Sequence, residues 1–502
     1  MATTSVKTSS ASEATLAREM SLLGLVATGV CSMVGAGINV VPIMVQRNVP
    51  GIGPHVVSAF AISMIPAVLA ALAYGVMASG MPRAGGSYVY ASRSLHPYLG
   101  FLASFSQWLG LSVAMGVIGY VLVPFVRDIA LSLNLTELSA TLESGPVRVT
   151  LALLFLWSAT IVNLLGIKTF ERTMIVLMVL GLLGGAIVIP TGFWYDHADF
   201  LAAVAQRGGV EVLPVPAAPL DPLRLMAAIA ILFSSFIGFD SIAQAGSEAR
   251  NPNVTLPLAT FISIGTVGVF YLLFTAAVYH AVPWYFIAER AASTDLTAPG
   301  LLGYLLPPAW TAAIVGFSTI ALFNSLPGMM LAVSRLMFAW AEDGIFIRSA
   351  SRIHPWWRTP HVAILLSSLT ATAGIFGCHF AGDFFLGVDV LVIGMLVNFI
   401  LVCLSVVFLA ERNPKLAEGL RLMRSRSAQI SLGGVGALLL SALLVAQVVK
   451  DLSANVAAWY YRSTWAYLLA VAAVSLLFAI RWRELRKAGV DLEGLYATLP
   501  SE

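Results

Sequence analysis

Long stretches without a charged residue limit what this chain can fold into. No Asp, Glu, Lys or Arg occurs in the 38 residues between Arg250 and Glu289, or in the 39 residues between Asp295 and Arg335. About 20 apolar residues cross a bilayer as an α-helix, so each stretch is long enough to do so. The chain is 59% hydrophobic and 11% charged, whereas soluble domains have about 25% charged residues. The sequence therefore predicts an all-α integral membrane protein and argues against a soluble enzyme or a nucleic-acid-binding protein.

Apolar stretches between turn residues predict twelve transmembrane helices, which we number spans 1 to 12. Proline and glycine clusters mark their ends. The spans lie near residues 22–45, 55–80, 98–127, 147–166, 172–194, 223–246, 257–281, 308–340, 361–380, 386–410, 428–449 and 463–481.

An even number of spans places both chain ends on the same side of the membrane, and basic residues indicate which side. The loops on that side, with the chain ends, carry 20 of the 28 Lys and Arg residues. By the positive-inside rule this face is cytoplasmic. The sequence thus predicts a multi-pass protein of the cell membrane with both termini in the cytoplasm. We interpret the basic segment from Arg412 to Arg426 as an orientation determinant rather than a lipid-binding patch.

Glycines interrupt two of the predicted helices at corresponding positions. Span 1 is interrupted within residues 31–39 (CSMVGAGIN), and span 6 within residues 233–241 (FSSFIGFDS). Glycine costs roughly 1 kcal/mol relative to alanine inside a helix. Because the breaks lie five helices apart, they predict two inverted repeats, spans 1–5 and 6–10, whose breaks meet near the membrane midplane.

The ends of these broken helices have the chemistry to hold an amino acid. Where span 1 resumes, free N–H groups from Gly35 to Ile38 can bind a carboxylate. Where span 6 stops, free carbonyl groups around Phe233, Ser234 and Ile237 can accept hydrogen bonds from an ammonium group. The alternative is that the glycines only allow close helix packing. The correspondence between the two breaks favours a binding site.

Several motifs resemble those of the amino acid–polyamine–organocation permeases. They are VGAGI at 34–38, PRAGGSY at 82–88, IGFD at 237–240 followed by EARNP at 248–252, and SR at 334–335 followed by AEDG at 341–344. The run VDVLVIG at 388–394 is similar to span 10 of the cationic amino acid transporter branch. The resemblance covers about residues 20–410 in the family's order.

The resemblance implies the bacterial leucine-transporter fold, a 5+5 inverted repeat followed by two further spans, with alternating access to a small amine- or carboxylate-bearing substrate. It implies backbone contacts with the substrate at Ser32, Gly35, Ala36, Gly37, Ile38, Phe233, Ser234 and Ile237. It implies side-chain selectivity at Gly110, Leu111, Met115, Ser235, Phe236 and Met329.

These expectations divide the chain into seven segments. They are a disordered cytoplasmic tail at 1–20, the first repeat at 21–195, an extracellular loop at 196–222, the second repeat at 223–410, a basic cytoplasmic loop at 411–427, spans 11 and 12 at 428–482, and a cytoplasmic tail at 483–502.

The sequence departs from the family pattern in span 5. Many proton-coupled members carry a lysine there, whose amine takes the place of a sodium ion, but Met174–Pro190 contains no Lys or Arg. By the same resemblance, Asn324 and Ser325 lie near a cation site and are candidate sodium ligands. The alternative for both is ordinary hydrogen bonding between helices.

Two polar residues inside the membrane each have two interpretations. Asp240 either caps span 6, if the helix resumes at Ser241, or contacts substrate or a proton. The Asn39 amide either reaches the substrate or bonds to backbone freed by the break. Three charged residues near span ends form either an inner gate or solvated interfacial charges: Arg83, Glu248 and Arg335.

The sequence therefore predicts a secondary active transporter, a symporter or an exchanger, for an amino acid or related small amine. The alternatives are a transporter for a polyamine or other organic ion, and a membrane sensor of the same fold. We expect no enzyme activity, no metal cofactor and no nucleic-acid partner. The expected partners are the small-molecule substrate, membrane lipid and a coupling ion, either a proton or sodium. The predicted side-chain contacts with the substrate are largely apolar, at Leu111, Met115, Phe236 and Met329. They favour a neutral or hydrophobic amino acid over a dibasic one.

Overall fold

The computed structural model describes residues 15–207, 213–381, 385–454 and 462–500. Within these ranges the backbone forms helices joined by short connections, and the only β-contacts are isolated bridges. The all-α fold is confirmed. Parts of the predicted tail at 1–20 and of the predicted loop at 196–222 lie outside the described residues, as does the side chain of Ala36.

Ten helices in the described ranges are long and apolar enough to cross a membrane. They correspond to spans 2–5 and 7–12. Their bounds are Val56–Gly80, Pro97–Ser132, Gly145–Leu164, Ile167–Trp194, Pro252–Ala281, Pro308–Glu342, His361–Ala381, Phe385–Arg412, Arg426–Ser453 and Ser463–Lys487.

The two remaining spans are short because each is broken where the glycines predict. Span 1 consists of the helices Leu22–Met33, Ala36–Asn39 and Val41–Asn48. Span 6 consists of the helix Pro222–Phe233, a 3-10 turn at Ser234–Phe236 and the helix Asp240–Gln244.

Backbone conformation explains both interruptions. Val34 is extended after the first helix of span 1, with φ −73° and ψ 100°. Ile237 is extended after the 3-10 turn of span 6, with φ −68° and ψ 129°. Gly238 follows with φ +139°, a conformation that side chains other than glycine's rarely adopt.

Helix packing places the two broken spans at the centre of the molecule. Span 3 packs against spans 4, 8, 9 and 10, while span 1 packs against spans 5, 7 and 8. Span 1 contacts span 7 and span 6 contacts span 2, the pairing that two inverted repeats require. The division into repeats and the segment bounds stay predictions.

Both described chain ends lie on one side of the molecule, which we call the terminal face. There the Met20 amide donates to the Glu248 carbonyl at 2.9 Å, and the Arg250 amide donates to the Met20 carbonyl at 3.0 Å. Leu16, Ala17 and Met20 are buried. The segment 16–20 is therefore held against the molecule by Leu16, Ala17 and Met20, and the predicted disorder does not extend to it.

Candidate substrate-binding site

The breaks of spans 1 and 6 lie directly against each other. A Cβ added to Gly37 would lie 2.8 Å from the Cα of Ser235, and the Ser235 hydroxyl donates to the Gly37 carbonyl at 2.7 Å. A Cβ added to Gly238 would lie 2.6 Å from the carbonyl oxygen of Ser32. Each break thus uses a glycine to approach the backbone of the other. The close helix packing that was the alternative explanation for these glycines is therefore present.

The break of span 1 leaves backbone donors without helical partners. Where the helix resumes, its first hydrogen bond runs from the Asn39 amide to the Gly35 carbonyl at 3.4 Å. The four preceding N–H groups, from Gly35 to Ile38, have no partner inside that helix. The Asn39 side chain donates to the Gly35 carbonyl at 3.0 Å and accepts from the Ser318 hydroxyl at 3.0 Å. Asn39 therefore bonds to backbone freed by the break.

The break of span 6 differs from the prediction at Ser234. The Ile237 amide donates to the Ser234 carbonyl at 3.2 Å, because the chain makes a 3-10 turn before it extends. The Ser234 hydroxyl donates to the Ile231 carbonyl at 2.6 Å. The prediction of a free Ser234 carbonyl is wrong.

A cavity of about 70 Å³ lies between the two breaks and spans 3, 8 and 10. Such a volume holds several water-sized groups, since one water needs about 10–15 Å³ on this measure. None of its described lining residues is charged. Six of them are predicted site residues: Ser32, Gly37, Ser234, Ser325, Ile237 and Met329. Seven are not: Met33, Val41, Ala114, Val117, Ile118, Val388 and Leu391.

The other predicted site residues lie near the cavity but do not line it. Span 3 presents Ala114, Val117 and Ile118 instead of the predicted residues, so the lining begins about one turn further along the helix face that carries Gly110. The predicted residues away from the lining are Gly35, Ile38, Asn39, Gly110, Leu111, Met115, Phe233, Ser235, Phe236, Asp240 and Asn324.

Asp240 belongs to a buried hydrogen-bond network. Its carboxylate accepts from the Gly238 amide at 3.0 Å and from the side-chain amide of Gln107 on span 3. Gln107 in turn accepts from Ser87 at 2.6 Å and from Gln244 at 3.1 Å. The helix begins at Asp240 rather than at Ser241, so the carboxylate reaches back to the loop instead of capping the helix. The network ties span 6 to span 3.

Spans 1, 5 and 8 meet beside the cavity at the candidate sodium ligands. The Ser325 hydroxyl donates to the Cys31 carbonyl at 3.2 Å, and a Cβ added to Gly35 would collide with that hydroxyl. The side-chain oxygen of Asn324 is buried and has no hydrogen-bond partner within the described ranges. The Ser325 hydroxyl and this Asn324 oxygen are the side-chain oxygens that a sodium ion here would contact.

Two buried ion pairs close the terminal face. Arg335 donates to both oxygens of Glu248, at 2.7 and 3.0 Å, and each side chain is 1% exposed. The interpretation of these two residues as solvated charges is therefore wrong. Arg93 pairs with Asp343 in the same way, at 2.6 and 3.0 Å. Arg83 donates elsewhere, to the Pro500 carbonyl at 3.1 Å.

The Arg93–Asp343 pair was missed by sequence reasoning. Asp343 lies in the AEDG motif that supports the family resemblance, and Arg93 lies in the last turn of the helix Gly86–Ser94, which begins within PRAGGSY. One charged residue inside a motif and another five residues after a second motif, on the same face, were the available signal. It did not say which charges would pair.

Comparison with known proteins identifies the family. The family model described as amino acid permease matches residues 20–477. The low-affinity putrescine importer PlaP of Escherichia coli K12 is 27% identical over 358 residues, which cover 70% of this chain and 73% of the relative. The branched-chain amino acid permease BcaP of Bacillus subtilis is 24% identical over 427 residues, covering 82% and 84%. Cationic amino acid transporter 4 of Mus musculus is 28% identical over 374 residues, covering 71% and 55%. With the family model matching nearly the whole length, and with broken helices facing each other across a small cavity, this chain belongs to the amino acid permease family.

Proposed function

We propose that this permease is a secondary active transporter for a neutral, hydrophobic amino acid. One observation carries the proposal: an apolar cavity lies between two broken helices whose ends offer opposite partial charges. The N–H groups from Gly35 to Ile38 would hold the substrate carboxylate. The Ile237 carbonyl group, where span 6 extends at the cavity, would accept from the ammonium group.

The cavity lining supports a neutral substrate over a diamine. Its apolar side chains come from five spans, and the described lining contains no carboxylate to pair with a second ammonium group. Asp240, the nearest predicted acid, is engaged by Gln107 and Gly238. The name of one relative specifies branched-chain amino acids and that of another specifies putrescine. The uncharged lining favours the first kind of substrate.

Alternating access requires the terminal face to open. We assign this face to the cytoplasm, since the loops on that side carry most of the basic residues. The buried pairs Glu248–Arg335 and Arg93–Asp343 lie between the cavity and this face. Release of substrate to the cytoplasm would require the first of these pairs to separate.

Sodium is the coupling ion that we propose. Asn324 and Ser325 offer side-chain oxygens, which sodium prefers to nitrogen or sulfur, and Ser325 contacts the carbonyl oxygen of Cys31. Span 5 places no lysine nearby. Instead, the Met174 methyl group of span 5 lies beside Gly328 on span 8. It would be 3.5 Å from a Cβ added to Gly328.

Uptake into proteoliposomes tests the proposal. The purified chain would be given radiolabelled leucine, lysine or putrescine, with an inward gradient of sodium or of protons. We expect leucine uptake driven by sodium. Preferential putrescine or lysine uptake would overturn the substrate class. Uptake driven only by protons would overturn the coupling ion. Binding without flux, measured as a thermal shift with leucine, would instead support the sensor.

A further inference from the structure

A second, larger cavity of about 770 Å³ opens on the terminal face, away from the substrate site. Three separate elements form it: the segment before span 1, the loop and first turn at the start of span 7, and the loop between spans 10 and 11. Each contributes one arginine, namely Arg18, Arg250 and Arg421. The remaining lining comes from residues 249 and 251–255.

The cavity has the electrostatics of an anion site. All three arginines are exposed, and within the described ranges their guanidinium groups make no hydrogen bond or ion pair. No Asp or Glu is among the described lining residues. Glu19, next to Arg18, is paired with Lys168 at 3.2 Å. Three unneutralised guanidinium groups around one cavity favour a phosphate, which accepts several charge-assisted hydrogen bonds.

The first turn of span 7 adds to this attraction. The helix Pro252–Ala281 has 30 residues, with no acidic residue in its first turn and no side chain capping its N-terminus. Its first backbone bonds run from Val254 and Thr255 to the Asn251 carbonyl, at 3.0 and 3.1 Å. The Asn253 amide precedes them and has no partner inside the helix. The positive end of the helix dipole therefore faces the cavity.

An exposed apolar row begins at the cavity and continues along span 7. It consists of Val254, Leu258 and Ile262, which are 54%, 42% and 39% exposed and four residues apart, so they share one helix face. Thirty helical residues extend about 45 Å. A bilayer with its headgroups is about 40–45 Å thick, so the first turn of span 7 lies at headgroup depth. The apolar row continues from this turn towards the bilayer interior and faces the acyl chains.

We propose that this cavity binds the phosphate of an anionic phospholipid, with an acyl chain lying along the apolar row. A soluble phosphate would satisfy the arginines equally well, but Val254 belongs both to the cavity lining and to the apolar row, so a lipid whose phosphate lies in the cavity can place an acyl chain along that row. The sequence alone favoured Arg421 as an orientation determinant. The fold brings it beside Arg18 and Arg250, where the three charges act on one ligand.

The site connects elements that flank the inner gate. Arg18 lies two residues before Met20. The backbone of Met20 forms hydrogen bonds with the backbone of Glu248 and of Arg250, and Glu248 is the gate residue that pairs with Arg335. Arg421 belongs to a loop whose backbone amides donate to Ser79 at the end of span 2. A bound headgroup would hold these segments together and favour the closed terminal face.

Native mass spectrometry of the full chain in zwitterionic detergent tests the site. Phosphatidylglycerol or phosphatidylcholine of identical acyl chains is added, and the apparent dissociation constants are compared. The variant R18Q/R250Q/R421Q removes the three arginines of the cavity. The control R348Q/R424Q/R483Q removes the same charge from exposed arginines on the terminal face that do not line it.

We expect the wild type to prefer phosphatidylglycerol, the cavity variant to bind it about tenfold or more weakly, and the control to match the wild type. Equal losses in both variants, or no preference in the wild type, would overturn the site. Inorganic phosphate serves as a separate probe. Displacement of the lipid by phosphate at equal concentration would assign the site to a soluble anion and overturn the lipid. A weaker affinity of V254S/L258S for phosphatidylglycerol, but not for phosphate, supports the acyl-chain contact.

Discussion

Gly37 has no space for a side chain, because an added Cβ would lie 2.8 Å from the Cα of Ser235. Gly37→Ala should therefore push the two breaks apart and weaken substrate binding at least about tenfold. At 100 times its dissociation constant, leucine should stabilise the wild type by about 2.7 kcal/mol, and a tenfold loss of affinity lowers this to about 1.4 kcal/mol. The ligand-induced thermal shift measures the difference.

Gly265→Ala is the matched control for this substitution. Gly265 lies on span 7, and an added Cβ meets no described atom within 4 Å. This variant should retain the full leucine-induced shift. Retention of the full shift by Gly37→Ala as well would show that the contact between the breaks does not determine binding.

The pair formed by Glu248 and Arg335 combines two charges that are almost fully buried. Arg335→Met should reduce stability strongly, since an unpaired buried charge costs about 3–5 kcal/mol. The double variant E248L/R335M removes both charges and should lose less. Thermal denaturation in detergent compares the three proteins. A double variant less stable than Arg335→Met would show that packing around Arg335, rather than charge pairing, maintains the closed terminal face.

At the scale of the helix, the sequence predicted the spans and the positions of both breaks. The bilayer imposes long charge-free runs, and the glycine clusters are visible as exceptions within them, as at Gly35 and Gly238. The level at which span 3 lines the cavity was not predictable in the same way. Span 3 packs against four other spans, so apolar residues follow each other along most of its length and none of them marks that level. The motif offset placed the contacts at Gly110 and Leu111, on the helix face shared with Ala114 and Ile118 but one to two turns before the cavity.

The same limitation applies to span 10. Val388 and Leu391 lie within the stretch that supported the family resemblance, yet no polar residue or break marked them as lining. Contacts made by apolar side chains depend on which helices become neighbours, and that is a property of the whole fold. Backbone groups at a break, by contrast, are exposed by local sequence alone. The site residues found from the sequence, such as Ser32 and Gly37, are mainly of this second kind.

Span 3 provides a direct test of which level along the helix determines selectivity. Ile118 lines the cavity, whereas Leu111 is fully buried away from it. Ile118→Ala should enlarge the cavity and shift preference from valine towards larger side chains such as phenylalanine. Leu111→Ala should reduce stability by about 2–5 kcal/mol without changing the order of preference. Competition of each amino acid against leucine uptake measures that order. A changed order in the Leu111 variant alone would favour the level of span 3 predicted from sequence.

For the molecule as a whole, the C-terminal residues connect elements that are distant in the chain. The helix Leu492–Ala497 lies on the terminal face, where Tyr496 and Tyr88 share a hydrogen bond of 3.0 Å. Three side chains from other segments donate to backbone carbonyls of residues 497–500 at 3.1–3.3 Å: Arg83, Arg93 and Asn413. Because Arg93 also pairs with Asp343 below the cavity, the C-terminal residues support the closed face.

Removal of residues 491–502 should therefore make the terminal face open more readily. Loss of the contacts to Arg93 and Tyr88 should increase amide hydrogen exchange in Gly86–Ser94 by at least about tenfold, because local opening free energy falls when such contacts are lost. The helix Trp284–Ala291, on the opposite face, provides an internal control that should exchange as before. Tyr496→Ala, which keeps the chain length, should give a smaller increase in the same helix. Unchanged exchange in Gly86–Ser94 after truncation would mean that the buried ion pairs hold this face closed without the C-terminal residues.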